Sequence, residues 1–288
     1  MNNNDNPIQR LAPDKRPQLR VGAKGKAVEL MQSLLNIAFV AAPPMRLFIS
    51  PDGDFGQDTK DGVLLFQYRF GLPISGAVDA ATWRKLDEIA SPLFPFQITI
   101  SSVTPSVFLG PFCQNDNRFE PQMILATIAA PYIGATESGD NLMGDDPRMR
   151  EIFKADNLTV ADNTDGYPWC AAFVSLCVQK LIQQYPCYYS TVTPPREASV
   201  SHFYNEWAVH QGCLIFTPRS KVITPVPGDI VVFTFSHIGI VESVADGLIG
   251  TIEGNTNQAG SREGKEVARK TRSNSLIRAF IRLPVKRN

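Results

Sequence analysis

The chain has 288 residues, 43% of them hydrophobic and 19% charged, which is long enough for two ordinary domains and too apolar for a disordered chain. Lysine plus arginine equals aspartate plus glutamate at 28 each, and this zero balance argues against nucleic acid as the main partner, because phosphate binding needs a cationic surplus. No apolar run approaches the ~18 residues that span a bilayer.

Residues 1–18 are polar, lack the apolar stretch of a signal peptide and read as a flexible end. The expectation is synthesis in the cytosol without export by the general secretory route. From 19 to 90 the texture is helix, Gly/Asp-rich turn, helix, turn, helix. Residues 26–38 space Ala27, Leu30, Met31, Leu34, Leu35 and Ala38 at helical intervals. A loop follows and ends in Asp52-Gly53-Asp54-Phe55-Gly56. Residues 59–70 repeat the period through Val63, Phe66 and Phe70, with Gly71 as a C-cap glycine. Residues 80–89 form the third helix, with Trp83 and Leu86 facing inward.

Between 91 and 119 the helical period stops and prolines punctuate the chain, as in a linker. Residues 121–132 and 167–185 read as helices. The stretch 183–224 is irregular, and period-two apolar runs follow at 229–235, 237–244, 248–253 and 276–283. Helices first and sequential strands afterwards predict an α+β unit over 120–288 with an antiparallel sheet. Nine basic residues against two acidic ones lie between 262 and 288. They read either as a solvated edge on the last strands or as an attraction for an anionic polymer.

The five cysteines include no CxxC pair and match neither a disulfide framework nor a zinc cluster, so no metal or other cofactor is expected. Four of them behave as ordinary residues: Cys177, Cys187 and Cys213 read as small hydrophobes, and Cys113 falls in the linker. Cys170 is different. In Asp165-Gly166-Tyr167-Pro168-Trp169-Cys170-Ala171-Ala172-Phe173, Asp165 is a good N-cap and Pro168 suits a first turn, so the thiol lies near a helix start. The dipole and free N–H groups there favour a thiolate nucleophile. Trp169, Phe173, Leu176, Cys177 and Leu181 form the buried stripe. His237 opens the second strand, and Gly239 beside it leaves room for a helix N-terminus to approach. Glu253 and Asn255 alternate at the end of the third strand, and either can accept the second imidazole N–H. His202 and His210 read as structural.

Two resemblances sharpen this. Leu19-Arg20-Val21-Gly22, Gln32, Asp52-Gly53-Asp54-Phe55-Gly56, Thr59, Gln67, Gly76 and Thr82-Trp83 fall in the order of the peptidoglycan-binding three-helix module of bacterial wall hydrolases. The long apolar loop from 38 to 50 departs from it. Trp169-Cys170-Ala171-Ala172-Phe173, Gly228-Asp229-Ile230-Val231, His237-Ile238-Gly239-Ile240-Val241 and Glu253-Gly254-Asn255-Thr256 resemble the CHAP family of papain-like cysteine, histidine-dependent amidohydrolases and peptidases. Tyr132 to Glu137 and Asp146-Pro147-Arg148 resemble the lead-in of a CHAP-like subgroup, and the length of 183–224 departs from a minimal CHAP core. The resemblance implies Cys170 as nucleophile, His237 as base, and Glu253 or Asn255 as orienting residue, with Asn255 alternatively at the oxyanion. It implies an enzyme acting on amide bonds of bacterial peptidoglycan, and with no signal peptide the expectation is a phage endolysin or a contact-delivered antibacterial effector. In the second case an immunity protein would be a further partner. An amidase of a soluble amide and an inactive wall-binding adaptor are the rival expectations.

Overall fold

The computed structural model describes residues 7–41, 49–90, 121–156, 158, 166–257 and 264–286. The expected linker, Cys113 and Asp165 lie outside the described residues. The chain divides into two compact units, Met1–Phe112 with Ser220–Ile223, and Cys113–Arg219 with Thr224–Asn288.

In the first unit, α1 (Lys26–Ala41), α2 (Gln57–Arg69) and α3 (Ala80–Ala90) bury Met31, Leu35, Val63, Phe66, Trp83 and Leu86. Each fully buried side chain of this size is worth roughly 1.5–3 kcal/mol. The motif positions turn out to be a repeated clamp. Gln32, on α1, takes the N–H of Gly53 at 2.9 Å and gives its amide to Asp52, the Asp54 carbonyl and Thr59 at 2.9–3.0 Å. Gln67, on α2, takes the N–H groups of Ser75 and Gly76 at 3.0 and 2.9 Å and gives to the Ala77 carbonyl at 2.7 Å and to Thr82 at 3.2 Å. One buried glutamine per repeat thus satisfies the donors and acceptors of the turn that follows its helix.

Residues 7–17 are packed against the unit rather than forming a free end. Pro7–Arg10 and Pro13–Lys15 make 3-10 turns, and Arg16 pairs with Asp87 at 2.9 Å while lying 5.1 Å over the Trp83 ring. Of the long first loop, 42–48 lie outside the described residues. Its return is fixed by Asn36, which bonds both the N–H and the carbonyl of Ile49.

The second unit has the expected α+β architecture. The expected helix at 121–132 is split into α4 (Leu125–Ala129) between two 3-10 turns, and α4 ends where Pro131 cannot donate to an α-helical ladder. Then come α5 (Pro147–Phe153), α6 (Cys170–Gln184), α7 (Val200–His202) and α8 (Ala208–His210), with a π turn joining the last two. The strands are β1 (Leu214–Phe216), β2 (Ile230–Phe233), β3 (Ile238–Ala245), β4 (Leu248–Thr256), β5 (Glu266–Ser273) and β6 (Ile277–Arg282). They form one antiparallel sheet in the order β1-β6-β2-β3-β4-β5. α6 is buried on all sides from Cys170 to Val178. It is therefore a central helix rather than an amphipathic one, packed with Ile238, Ile240 and Ile252 in a single core.

The lead-in segment has a structural purpose. Gly134 donates to Val267, Val267 to Ala135, and Glu137 to Lys265, so residues 134–137 run along the start of β5. Asp146 caps α5, and the Arg148 guanidinium turns back onto Asp146 and the carbonyls of Ile133 and Gly134.

Candidate active site

Cys170 is the first residue of α6, with Trp169 at the N-cap in place of the expected Asp165. The first N–H groups of a helix have no intrahelical acceptor, so this thiol stands among free donors. Trp169 is held from the side: its indole N–H donates to Glu137 at 2.6 Å, inside the core. Cys170 opens onto a cavity of about 270 Å3 lined by Leu158, Tyr167, Pro168, Ser199, Val200 and Ser236 among others. The Tyr167 hydroxyl donates to Asp156, which fixes one wall.

His237 lies in the turn between β2 and β3, and its carbonyl accepts from the Phe233 N–H at 2.9 Å. The ring is fully buried and stacked on Phe233 and Phe235, with centroids 5.7 and 5.9 Å away. Nε2 meets Glu253 Oε2 at 3.0 Å. Nδ1 has no conventional hydrogen-bond partner among the described residues and is the nitrogen left for Cys170. Burial opposes charge on this imidazole, yet Cys170 and Glu253 beside it push its pKa up from 6.5 to about 9.

Glu253 is also fully buried. Its carboxylate accepts from Arg272 Nε at 2.9 Å and Nη2 at 2.6 Å, from the Thr251 hydroxyl at 2.6 Å, and from His237. Burial alone would raise its pKa, but Arg272 first, then His237 and Thr251, bring it down to about 2. With Glu253 ionised, His237 Nε2 carries the hydrogen, which leaves Nδ1 to exchange a proton with the thiol.

The structure thus brings Cys170, His237 and Glu253 together and places Asn255 elsewhere. The β4–β5 register shifts between Glu253 and Thr256, and Asn255 takes a left-handed φ of 54°. The bulge breaks the alternation that would set both side chains on one face. The Asn255 amide donates instead to Asn141 at 2.8 Å and to the Gly264 carbonyl at 3.2 Å, and its Oδ1 is unpaired among the described residues. It does not accept from the imidazole.

The glycines also exchange roles. A Cβ on Gly239 would lie 2.7 Å from Glu253 Cγ, so its missing side chain admits the carboxylate and not a helix. The helix approaches at Gly254, where a Cβ would meet Trp169 and Phe173 at 2.8 Å.

Sequence reasoning missed Arg272 and Glu137. Arg272 was hidden in the basic run, whose described members are mixed in character. Arg272 and Arg282 are buried, each forked onto a carboxylate, Glu253 and Asp229, whereas Arg269 pairs with Glu242 at the surface. The remaining cysteines divide as well. Cys177 and Cys213 are buried, free thiols whose pKa burial raises, while Cys187 is disulfide-bonded and not the unpaired residue expected. His202 and His210 are exposed.

Residues 24–86 match the family model of a putative peptidoglycan binding domain, and residues 162–255 match that of the CHAP domain. No curated protein matches the chain. Among solved structures, a fused Zn-dependent amidase/peptidase/peptidoglycan-binding domain-containing protein from Clostridium acetobutylicum is 21% identical over 44% of this chain and 47% of its own, with a TM-score of 0.22. The chain therefore spans about half the length of that protein. The two family matches thus identify a peptidoglycan-binding domain over residues 24–86 and, after it, a CHAP domain over residues 162–255.

Proposed function

We propose that the chain is a cysteine hydrolase that cuts amide bonds in bacterial peptidoglycan. The observation that carries this reading is the buried line Cys170–His237–Glu253, ending at a cavity that Cys170 helps to line. His237 Nδ1 takes the thiol proton and the sulfur attacks the amide carbonyl, so a C–S bond forms as the carbonyl becomes an oxyanion. The N–H of Cys170, in the first turn of α6, is placed to stabilise that oxygen. Collapse expels the amine, which takes its proton from His237. Water then adds to the thioester with His237 as base; the second collapse breaks the C–S bond, frees the acid and returns the proton from His237 to the sulfur. Glu253 orients the ring throughout. The N-terminal domain tethers this chemistry to an insoluble polymer and raises its effective concentration there. The cut lies at the muramoyl–alanine junction or within the stem peptide. The place of action is the cell wall, reached by phage-type release or by injection, with an immunity protein as partner in the second case.

Digestion of purified sacculi tests the reading. Each cut must yield a new free amine and no new reducing sugar end, and mass spectrometry of the fragments names the bond. Cys170→Ala is expected to pellet with sacculi and release nothing. Release of fragments by that variant would overturn the assignment.

A further inference from the structure

Arg272 lies on β5, outside the segment that matches the CHAP domain. Its side chain leaves the strand and enters the core, where only 7% of the residue stays exposed. The guanidinium meets both oxygens of Glu253 in a fork, at 2.9 and 2.6 Å. Its flat face lies 5.2 Å from the Phe233 ring centre and 5.6 Å from that of Phe235. Those same two rings stack on His237. A cation fixed by a two-point fork and two aromatic faces can hardly turn, and neither can the carboxylate it grips.

We propose that Arg272 is a positioning residue of this site, holding the Glu253 carboxylate against His237 and balancing its charge. The inference rests on the reading of Cys170, His237 and Glu253 given above. When the thiol proton has moved to the imidazole, Cys170 and His237 carry one negative and one positive charge. Glu253, itself fully buried, adds a second negative charge, and Arg272 cancels it. Without Arg272 the transferred state would bury a net negative charge, which a low-dielectric interior relieves by protonating the carboxyl. The groups facing Glu253 are His237 ahead of β3, Thr251 on β4 and Arg272 on β5, with Cys170 of α6 beyond the ring. Arg272 is the one permanent cation among them. Lysine at this position would retain the charge and lose the fork.

The test is alkylation of Cys170 by iodoacetamide in the full-length protein, followed by mass spectrometry of the Cys170 peptide at pH 5 and pH 8. It needs no peptidoglycan. Arg272→Gln is expected to raise the pH 8 to pH 5 rate ratio by up to about tenfold, the most that a one-unit move of the acid limb can give, and Arg272→Lys to restore the wild-type ratio. A merely structural role would lower both rates together and leave the ratio alone. An unchanged ratio in folded Arg272→Gln, with Cys170 still alkylated faster than Cys177 and Cys213, overturns the Arg272 proposal and spares the active-site reading. Equal reactivity of the three thiols in the wild type overturns both. If Arg272→Gln does not fold, Arg272→Lys decides. It is expected to keep the wild-type ratio while cutting sacculi about tenfold more slowly, and full sacculus activity in that variant refutes the proposal.

Discussion

A single methyl group at Gly254 tests whether the crossing of α6 over β4 sets the position of the Cys170 thiol. A Cβ there would lie 2.8 Å from both Phe173 Cβ and Trp169 Cζ3 and 3.0 Å from Phe173 Cγ. Ordinary contact begins near 3.4 Å, so the helix must withdraw by about 0.6 Å from the strand. Neither residue can swing aside cheaply, because Phe173 is wholly buried and the Trp169 indole is tied to Glu137. Overpacking of this kind costs about 1–3 kcal/mol, which lowers Tm by roughly 2–4 °C per kcal/mol in a domain of this size. Trp169 and Phe173 flank Cys170 on the same first turn, so the sulfur moves with them. Displacement by 1 Å costs ~100-fold in a reaction that depends on alignment, and we expect Gly254→Ala to lose about 10- to 100-fold in kcat on dye-labelled sacculi. Circular dichroism must show a folded protein with reduced Tm. Wild-type turnover at unchanged Tm would refute the claim that this glycine sets the distance between helix and strand.

Glu253→Gln removes the charge that helps keep His237 protonated up to about pH 9. The imidazole pKa then falls, so activity should begin to fail at lower pH on the alkaline side of the profile. Asn255→Ala, whose partners are Asn141 and Gly264 rather than His237, should leave that limb in place, and a shift in Asn255→Ala alone would contradict the grouping of Glu253, not Asn255, with the imidazole. Stability has its own pH signature. The folded pKa of Glu253 is depressed, so its contribution is full above 4.5 and lost as pH falls toward 2. The folded pKa of His237 is raised, so its contribution is full below 6.5 and lost as pH rises through 9. Denaturant titrations at pH 3, 6 and 9.5 should therefore peak at the middle value, and a flat profile would contradict both shifts.

Residues with short-range signatures were readable in advance. Cys170 stands at a helix start because Pro168 and the apolar spacing after it announce one, while His237 sits just ahead of the period-two run of β3 and Glu253 within that of β4. Asn255 was misplaced because a bulge adds one residue to the count, and nothing in Glu253-Gly254-Asn255-Thr256 marks it beyond a glycine. β5 was invisible because Glu266-Val267-Ala268-Arg269-Lys270-Thr271-Arg272-Ser273 alternates poorly, with an arginine on its buried side. Charge read along a chain cannot distinguish an arginine that caps a buried carboxylate from one that faces water. That distinction depends on a carboxylate 19 residues away in sequence. The helices of 200–210 were lost for a similar reason, since a π turn interrupts the 3.6-residue period.

The run of residues 134–137 along β5 bears on how this catalytic unit can be excised. β5 is the last strand of the sheet, and its first residues are shielded by the backbone of Gly134, Ala135 and Glu137. A fragment that begins where the CHAP match does, at 162, and continues through β6 would leave that rim bare, a template on which other chains can add strands. It would also strip the acceptor from the buried Trp169 indole, at a cost of about 1–3 kcal/mol beside Cys170. A soluble, active fragment has to start upstream of α4, so that the sheet keeps its cover and the indole keeps Glu137.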